Sequence, residues 1–458
     1  MQTQVFQRLR RIKQLGLANY VFPSADYSRL SHSLGVCHIT GLIMDSLERA
    51  GVSDATNNRQ YYRLAALLHD VGHLPLSHCT EHAAIDYYSD RIAASKIRLA
   101  TDSDDPTDAA DKISAGVKHE YISEMLLVND GELGSVLEAG GYDPKDVASI
   151  FLREATSAFP LSNLISSDLD ADRFDYLLRS SRATGLPYGS IDFDYLLSQM
   201  VPDNKGNVCI GHKGMRAAEH FLLCRYFDYQ QVVYHKAVVG LEQLAQQIIG
   251  YLLANNRLDF SRERVKSAIT DNTAWFSPGS DCWLDWDDDY LMGQVTRLNR
   301  ETTDELVRLK TRCLIERRPP TLVAEIKMIT PRDNDYGFDA YKHNIRTAVK
   351  DKARSLGIAD GQYVEWTQAI KLTSIASKVP TSAKTEEFED EREKSIRIVR
   401  KSGGESKFLF EEKSSLVSAM ADNAQRIYRI YVVCEREQVP ALKLIKGQLE
   451  SVHNTAPW

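Results

Sequence analysis

An adjacent histidine and aspartate at the end of an apolar helical run constrain this chain more than any other feature. The string LAALLHDVGHLPLSH carries apolar residues from Leu64 to Leu68, followed directly by His69 and Asp70. Ionisable side chains are rarely buried without a partner, so this pair favours a site that holds one divalent metal ion. Imidazole and carboxylate ligands without a thiolate suit Mn, Fe, Co, Ni or Zn.

Two distant residues are candidates to complete this site, because a mononuclear centre needs about four protein ligands. His32 lies in the helical run SRLSHSLGV, and Asp172 lies in LDADRFDYLLRS. Taken singly, a lone histidine is more often a structural core residue, and an aspartate on a helix is more often a surface charge. The joint occurrence of His32, His69, Asp70 and Asp172 in three helical runs favours metal ligands.

Composition limits the class of protein. With 43% apolar and 26% charged residues over 458 positions, the chain has the make-up of a soluble globular protein. The N-terminal MQTQVFQRLRR lacks a secretory pattern, and no apolar run approaches the roughly 18 to 20 residues that span a bilayer. We therefore expect a cytoplasmic protein without a membrane partner. A net charge of −7 argues against nucleic acid as the main partner, and the scattered cysteines are expected to be free thiols.

Apolar periodicity predicts a mainly α protein in three parts. These are a helical core over residues 1–265, a helical extension over 266–318 and a smaller C-terminal α+β domain over 319–458. The β-rich runs of the last part are TLVAEIKMI, QYVEWTQAIKL, SIRIVR and RIYRIYVV.

Three segments are predicted to be turns or loops. The residues around Asn204 to Asn207 predict a short hairpin, because they combine Asn, Lys and Gly before the run VCIGH. The acidic stretch 100–116 predicts an exposed loop between helices. The charged segment near 378–394 has little apolar content, which predicts a mobile loop.

Six segments of the sequence carry a family likeness, in the same order and with collinear spacing over about residues 6 to 240. They are FQRLRRIKQLG, YVFPSADYSRLSHSLGV, LLHDVGHLPLSH, KHE, LDADRFDYLLRS and CRYFDYQQVVYHK. In these segments the chain resembles the HD-domain phosphohydrolases, and among them the deoxynucleoside triphosphate (dNTP) triphosphohydrolases. The resemblance implies that the helical core is an HD domain, with His32, His69, Asp70 and Asp172 as the metal ligands.

The resemblance also implies a polar catalytic cluster of His78, Glu81 and His119. The residues themselves are consistent with this role, since His78 and Glu81 lie three apart on one helix face. A carboxylate there can orient an imidazole and raise its basicity. The alternative is that these are satisfied core histidines. For His73 a structural role in the core and a functional role stay equally open, the functional role being contact with a substrate phosphate or support of a metal ligand.

The family's substrate contacts carry over to a further set of residues. The resemblance implies that the triphosphate is lined by Arg29, Arg173, Tyr176 and Arg225, and that Gln14 and Leu15 touch the sugar. Surface salt bridges are the alternative for each arginine alone. Arginine at 173, in place of a lysine, keeps the charge and adds bidentate geometry.

The chain departs from the family pattern at three places. Ser180 stands where an aspartate usually pairs with the glutamine on the 3′-hydroxyl, so recognition of that hydroxyl is expected to be weaker. Val233 stands at the position of a tyrosine that helps to exclude ribonucleotides. Gln2 occupies the place of an aspartate that reads an activating guanine nucleotide, although Gln7 and Arg10 persist.

The resemblance implies metal-dependent hydrolysis of a dNTP to deoxynucleoside and tripolyphosphate, in dNTP-pool control or anti-phage defence. A nucleotide activator is an open option, as is Mg for the substrate phosphates. By analogy we expect a homo-oligomer, a tetramer or hexamer. Two alternatives stay open: an HD phosphodiesterase or nucleotidase on another nucleotide, which needs fewer phosphate-binding cations, and a non-catalytic nucleotide-binding regulator.

Overall fold

The computed structural model describes residues 1–95, 116–129, 131–153, 159–270, 282–332, 336–371 and 392–453. The two loops expected at 100–116 and 378–394 lie almost wholly outside these residues. The fold is mainly α, as the apolar periodicity predicts.

The first part of the chain is helical. Its helices are α1 (Gln4–Arg8), α2 (Arg29–Arg49), α3 (Ser53–Asn57), α4 (Arg59–Leu68), α5 (His78–Ser95), α6 (His119–Asn129), α7 (Gly131–Ala139), α8 (Pro144–Leu152), α9 (Ala171–Thr184), α10 (Phe193–Ser198), α11 (Met215–Asp228), α12 (Lys236–Ala254) and α13 (Arg262–Thr270). The later helices are α14 (Asp288–Glu301), α15 (Glu305–Ile315), α16 (Tyr336–Arg354), α17 (Leu416–Met420) and α18 (Val439–His453).

Helix α2 organises the core around the site. It begins after Ser28, whose side chain accepts a hydrogen bond from the backbone N–H of Ser31 and so caps the helix N-terminus. One face, which includes His32, Val36, Ile39 and Ile43, is buried, and the helix packs against α4 and α9. The three helical runs that carry the predicted metal ligands are therefore direct neighbours.

The strands form two small sheets, built from β1 (Met200–Pro202), β2 (Val208–Gly211), β3 (Thr321–Pro331), β4 (Tyr363–Lys371), β5 (Arg397–Val399), β6 (Ser406–Phe408) and β7 (Asn423–Val432). The first has the order β1-β2-β5-β6 and the second the order β3-β7-β4. The hairpin predicted near Asn204 to Asn207 joins β1 to β2, with Gly206 at a positive φ of 87°.

The strands predicted after residue 319 are confirmed, and they are divided between the two sheets. Strand β5 pairs in parallel with β2, so the first sheet combines two strands from the middle of the chain with two from its last part. The second sheet is antiparallel and carries α16 and α18 on one side, with a small core that includes Val323, Phe338, Val349 and Leu442. The domain bounds at 265 and 318 stay a prediction.

Helix α12 is long and apolar enough to cross a membrane by length and composition. In this structure it is a core helix: it packs against α5, and its buried residues include Leu241, Leu244, Ile248 and Leu252. The apolar spacing of these four residues predicts the helix, but the sequence analysis did not single it out as a candidate membrane span, because Glu and Gln residues interrupt its apolar run.

Candidate metal centre and active site

The histidine of the His-Asp pair is oriented by the end of its own helix. Helix α4 ends at Leu68, and His69 caps it. The Nδ1 atom of His69 lies 2.8 Å from the carbonyl oxygen of Ala66, which fixes Nδ1 as the protonated nitrogen. The lone pair of His69 Nε2 is therefore free to bind a metal ion.

The four predicted metal ligands are brought together. One ligand atom from each of His32, His69 and Asp70 lies within 4.8 Å of the other two. Asp172 at the start of α9 approaches them, with its Oδ1 2.9 Å from His32 Nε2 and 4.0 Å from His69 Nε2. Two imidazoles and two carboxylates thus converge at one place, which is the donor set of a divalent transition metal.

The donor atoms fit a metal ion. His32 is fully buried, and its Nε2 makes no hydrogen bond among the described residues, although two carboxylates lie close. Its Nδ1 lies 2.7 Å from Asp175 Oδ2, so Nδ1 carries the proton and Nε2 faces the other ligands. A carboxylate behind a ligating imidazole raises the basicity of the ligand and fixes its ring.

Asp175 was missed by the sequence analysis. It lies three residues after Asp172 in LDADRFDYLLRS, and Arg179 holds it by two hydrogen bonds of 2.8 and 2.9 Å. The i, i+3 spacing from a candidate ligand was the signal that could have found it.

The charges around the ligands favour a cation. Burial lowers the pKa of His32, but Asp172 and Asp175 outweigh this and raise it to about 9. Burial raises the pKa of Asp70, but Arg29, His69 and His73 outweigh that effect and hold it well below its usual value. Asp70 is therefore an anion at neutral pH, as a metal ligand must be.

A second polar cluster lies beside the metal ligands. It consists of His73, His78, Glu81 and His119, with one ligand atom of each within 4.8 Å of the others. Glu81 Oε2 lies 3.1 Å from His119 Nδ1 and 3.3 Å from His78 Nδ1. The structure thus joins the three predicted catalytic residues through one carboxylate.

Glu81 and His119 perturb each other. Burial raises the pKa of Glu81, but its hydrogen bonds with His119 and His78 outweigh this and lower it far below the usual range. Burial lowers the pKa of His119, while Glu81 and Glu120 raise it to a net value above normal. This pair can hold a proton at His119 near neutral pH and release it, which suits general acid catalysis.

His73 lies between the two groups. Its ring stacks on that of His119 at 3.8 Å between centroids, and its Nε2 lies 3.1 Å from Asp70 Oδ1. Burial and the nearby Arg29 and His119 lower its pKa well below normal, so it is neutral. The buried Arg8 donates a hydrogen bond of 2.9 Å to the carbonyl of His73 and fixes this turn.

Close packing at Gly72 holds His69 against helix α6. The backbone N–H of Gly72 donates to Ser123 Oγ at 3.0 Å, and that hydroxyl donates to the carbonyl of His69 at 2.7 Å. A Cβ at position 72 would lie 2.2 Å from the carbonyl oxygen of His119 and 2.4 Å from the nitrogen of Ser123. Only glycine allows this approach.

We expect Gly72→Ala to lower the free energy of unfolding by about 3 kcal/mol or more, because backbone atoms must move apart. Chemical denaturation followed by circular dichroism measures the change. The matched control is Gly250→Ala, where the added Cβ meets no atom within 4 Å inside α12. That variant is expected to gain about 0.5 to 1 kcal/mol from helix propensity. Equal stabilities of the two variants would contradict the packing argument.

The predicted phosphate ligands divide into two groups. Arg173 and Arg225 each donate through Nη1 to Oδ1 of Asp168, at 2.8 and 3.3 Å, and Tyr176 is half-buried beside them. Arg29 lies apart, since it donates to Asp70 Oδ2 at 2.6 Å and to Ser77 Oγ at 2.8 Å. The contact seen for Arg29 is thus with a metal ligand, and its role as a phosphate ligand stays a prediction.

The predicted sugar contacts lie beside the first turn of α2. Gln14 and Leu15 are both half-buried, and the backbone N–H of Gln14 donates to the carbonyl of Tyr27 at 3.1 Å.

Ser180 is fully buried and donates to Asp228 Oδ1 at 2.8 Å. Val233 ends a π-helical turn, Tyr229–Val233, that follows α11. The sequence analysis missed Asp228 because it lies 48 residues from Ser180.

Comparisons with known proteins agree with this geometry. Residues 29–155 match the model of the HD domain family. An uncharacterized protein of Bacillus subtilis is 33% identical over 249 residues, 54% of this chain and 50% of that protein. The deoxynucleoside triphosphate triphosphohydrolase SAMHD1 of Bos taurus is 42% identical over 243 residues, 46% of this chain and 37% of that protein. The matched part is thus half or less of the length of these two relatives.

The fold as a whole also has a counterpart among solved structures. A hypothetical protein from Aquifex aeolicus superposes with a TM-score of 0.64 at 23% identity, over 97% of this chain and 93% of that one. At this identity the likeness concerns the fold. Residues 29–155 thus match an HD domain, in a chain that is similar over about half of its length to the HD-domain protein SAMHD1 and to an uncharacterized bacterial protein.

Proposed function

We propose that this protein hydrolyses deoxynucleoside triphosphates to deoxynucleoside and tripolyphosphate with the help of one divalent metal ion. One observation carries the proposal: the metal ligands and the His119–Glu81 pair lie on the two sides of His73, with Asp70 and His119 both within contact of its ring. A site that could hold a cation and a histidine that could donate a proton thus lie on either side of His73. The similarity to SAMHD1 supports the choice of substrate class.

The ligands His32, His69, Asp70 and Asp172 would hold the ion, which when bound supplies Lewis acidity toward an oxygen of the α-phosphate. Two arginines would neutralise the phosphates, namely Arg173 and Arg225, because each keeps N–H groups beyond the one that Asp168 accepts. Tyr176 lies one helical turn after Asp172 and would contact the same phosphates.

Proton transfer falls to the second cluster. In the reaction, water adds to the α-phosphorus and the bond from phosphorus to the 5′-oxygen breaks. His119, protonated under the influence of Glu81, would donate its proton to the leaving 5′-oxygen. His78 is more than half exposed, so it can accept the proton of the attacking water and pass it to solvent.

Further features of the protein belong to the same proposal. We infer a cytoplasmic homo-oligomer without a membrane or nucleic-acid partner, and a site that a nucleotide activator can influence. Mn is the first metal to test, because imidazole and carboxylate ligands in this ratio accept it readily.

The proposal is tested by incubating the purified protein with Mn and each of the four dNTPs, alone and in pairs. We expect deoxynucleoside and tripolyphosphate in equal amounts, resolved by anion-exchange chromatography and phosphorus NMR. Release of deoxynucleoside monophosphate with pyrophosphate would overturn the proposal and favour a phosphodiesterase or nucleotidase. Absence of turnover with every pair would favour a binding protein.

A further inference from the structure

Two carboxylates converge on one ring nitrogen in the second cluster. Glu81 Oε2 lies 3.1 Å from His119 Nδ1, and Glu120 Oε2 lies 3.3 Å from the same atom. This nitrogen carries at most one proton, which its hydrogen bond with Glu81 uses. Glu120 Oε2 is buried and has no hydrogen-bond partner among the described residues. A buried acceptor without a donor costs free energy, so the cluster holds one more carboxylate oxygen than its proton can satisfy.

The separations between donor atoms match those of a tetrahedral metal site. Glu81 Oε2 also lies 3.3 Å from His78 Nδ1, and a ring nitrogen of His78 lies within 4.8 Å of one of His119. Bonds of about 2.0 to 2.2 Å from zinc to nitrogen and oxygen place two donors about 3.3 to 3.5 Å apart at the tetrahedral angle. The rings of His78 and His119 are inclined at 76° with their centroids 5.2 Å apart, so their in-plane lone pairs can converge on one ion.

His73 separates this group of donors from the first metal site. Its ring is nearly parallel to that of His119, with an angle of 14° and 3.8 Å between the centroids. An imidazole binds a metal ion in the plane of its ring, because the lone pair of its nitrogen lies there. An ion in the plane of His119 is therefore out of the plane of His73 and cannot bind both. His73 Nε2 lies instead 3.1 Å from Asp70 Oδ1, which belongs to the first site.

The donor set and its access select the ion. Two imidazoles and one carboxylate are three protein ligands of the kind that hold Zn²⁺ with an open coordination position. Nitrogen and oxygen ligands bind Zn²⁺ more tightly than Mn²⁺ in the usual order of divalent metals. The side chain of His78 is 55% exposed, so an ion can enter from solvent, whereas His32 of the first site is fully buried.

We propose that His78, Glu81 and His119 form a second metal site that takes Zn²⁺ in preference to Mn²⁺, with Glu120 Oε2 as a further donor. The ion takes the lone pairs of both imidazoles, and the proton of His119 leaves to solvent. Neither histidine can then exchange the proton that hydrolysis needs, so Zn²⁺ at this site inhibits the enzyme. The binding assumes nothing about the reaction, whereas the inhibition rests on the proposed function.

Calorimetry tests the binding. Protein whose first site has been filled with one equivalent of Zn²⁺ is titrated with further Zn²⁺. We expect about one further equivalent, which is weaker and lost on dialysis because fewer protein ligands hold it. His78→Ala, which removes a largely exposed side chain, should abolish this second binding event. Glu120→Gln should weaken it by about 10- to 100-fold.

The matched control is His82→Ala, because His82 is exposed and its ring lies 6.1 Å from that of His78 without belonging to the cluster. This variant should bind the further equivalent as the wild type does. A wild type that takes up no further Zn²⁺ would overturn the second site, and so would a further equivalent that His78→Ala retains.

Turnover tests the inhibition. We expect Zn²⁺, added to the enzyme in excess Mn²⁺ with a dNTP, to halve the rate at the concentration that half-fills the second site, while about one equivalent of Mn stays bound. Glu120→Gln keeps both histidines, so it should remain active and need about 10- to 100-fold more Zn²⁺. Inhibition that accompanies loss of Mn, or turnover that persists at saturating Zn²⁺, would overturn the inhibitory role while the dNTP hydrolysis stands. Second-site binding without any turnover in Mn²⁺ would leave the site intact and refute the proposed function.

Discussion

Replacing Asp70 by asparagine should abolish both metal retention and the proposed dNTP hydrolysis. We expect the bound metal to fall below about a tenth of an equivalent and kcat/KM to fall by about 10³-fold or more, since the Lewis acid is worth several kcal/mol. Asp70 is the residue on which the site converges: its Oδ1 lies 3.3 Å from His69 Nε2 and 3.1 Å from His73 Nε2, and its Oδ2 accepts from Arg29. The amide keeps the shape and removes the charge.

Elemental analysis by mass spectrometry and turnover on the same sample measure the two effects. Loss of charge also leaves Arg29, which is 3% exposed, without its anion, and breaking a buried ion pair costs about 3 to 5 kcal/mol. Circular dichroism must therefore show that the variant is folded at the assay temperature. Asp203→Asn serves as the control, because it neutralises a buried carboxylate that touches no metal ligand. Full metal content in Asp70→Asn would refute the assignment.

The sequence predicts the parts of the site whose signals are local. His69 and Asp70 are adjacent, and His78 and Glu81 are three residues apart, so their spacing alone places them on shared faces. The helical periodicity of the runs around His32 and Asp172 similarly predicts the mainly α fold. These interactions depend on one turn of helix, which a short stretch of sequence encodes.

The parts that could not be predicted depend on contacts between distant segments. Asp168 holds Arg225 across 57 residues, and Asp228 holds Ser180 across 48. From the sequence alone, Ser180 lacks the negative charge of the aspartate that the family usually has at this position. In the fold, helix α11 places the carboxylate of Asp228 beside Ser180.

Strand pairing shows the same limit. The strand-forming run at β5 is visible in the sequence, yet its partner is β2, with Ile210 opposite Ile398. Alternation of apolar residues identifies a strand and its buried face, but carries no information on which distant strand lies beside it. The sequence analysis grouped β5 with the other strands after residue 319 because these strands follow one another in the chain.

Replacing Glu81 by glutamine should slow hydrolysis and move its pH dependence toward lower pH. Glu81 is the main group that raises the pKa of His119 against the opposing effect of burial. If protonated His119 is the acid, activity is lost as the pH rises through its pKa. A lower pKa in the variant shifts that alkaline limb to lower pH, and we expect kcat at neutral pH to fall by about 10²-fold.

The measurement is kcat from about pH 5.5 to about 9, the range in which histidines titrate, with Glu120→Gln as the matched control. Glu120 also lies 3.3 Å from His119 Nδ1, but it raises the pKa of His119 through its charge alone, whereas Glu81 acts through a hydrogen bond as well. Its removal should shift the limb in the same direction by a smaller amount. The free energy of unfolding depends on pH in the same direction. Because folding raises the pKa of His119, its protonation stabilises the folded state fully below the pKa of the unfolded chain, and this stabilisation is lost as the pH rises through the pKa of the folded state. An alkaline limb that stays in place or moves upward in Glu81→Gln would show that His119 is not the acid.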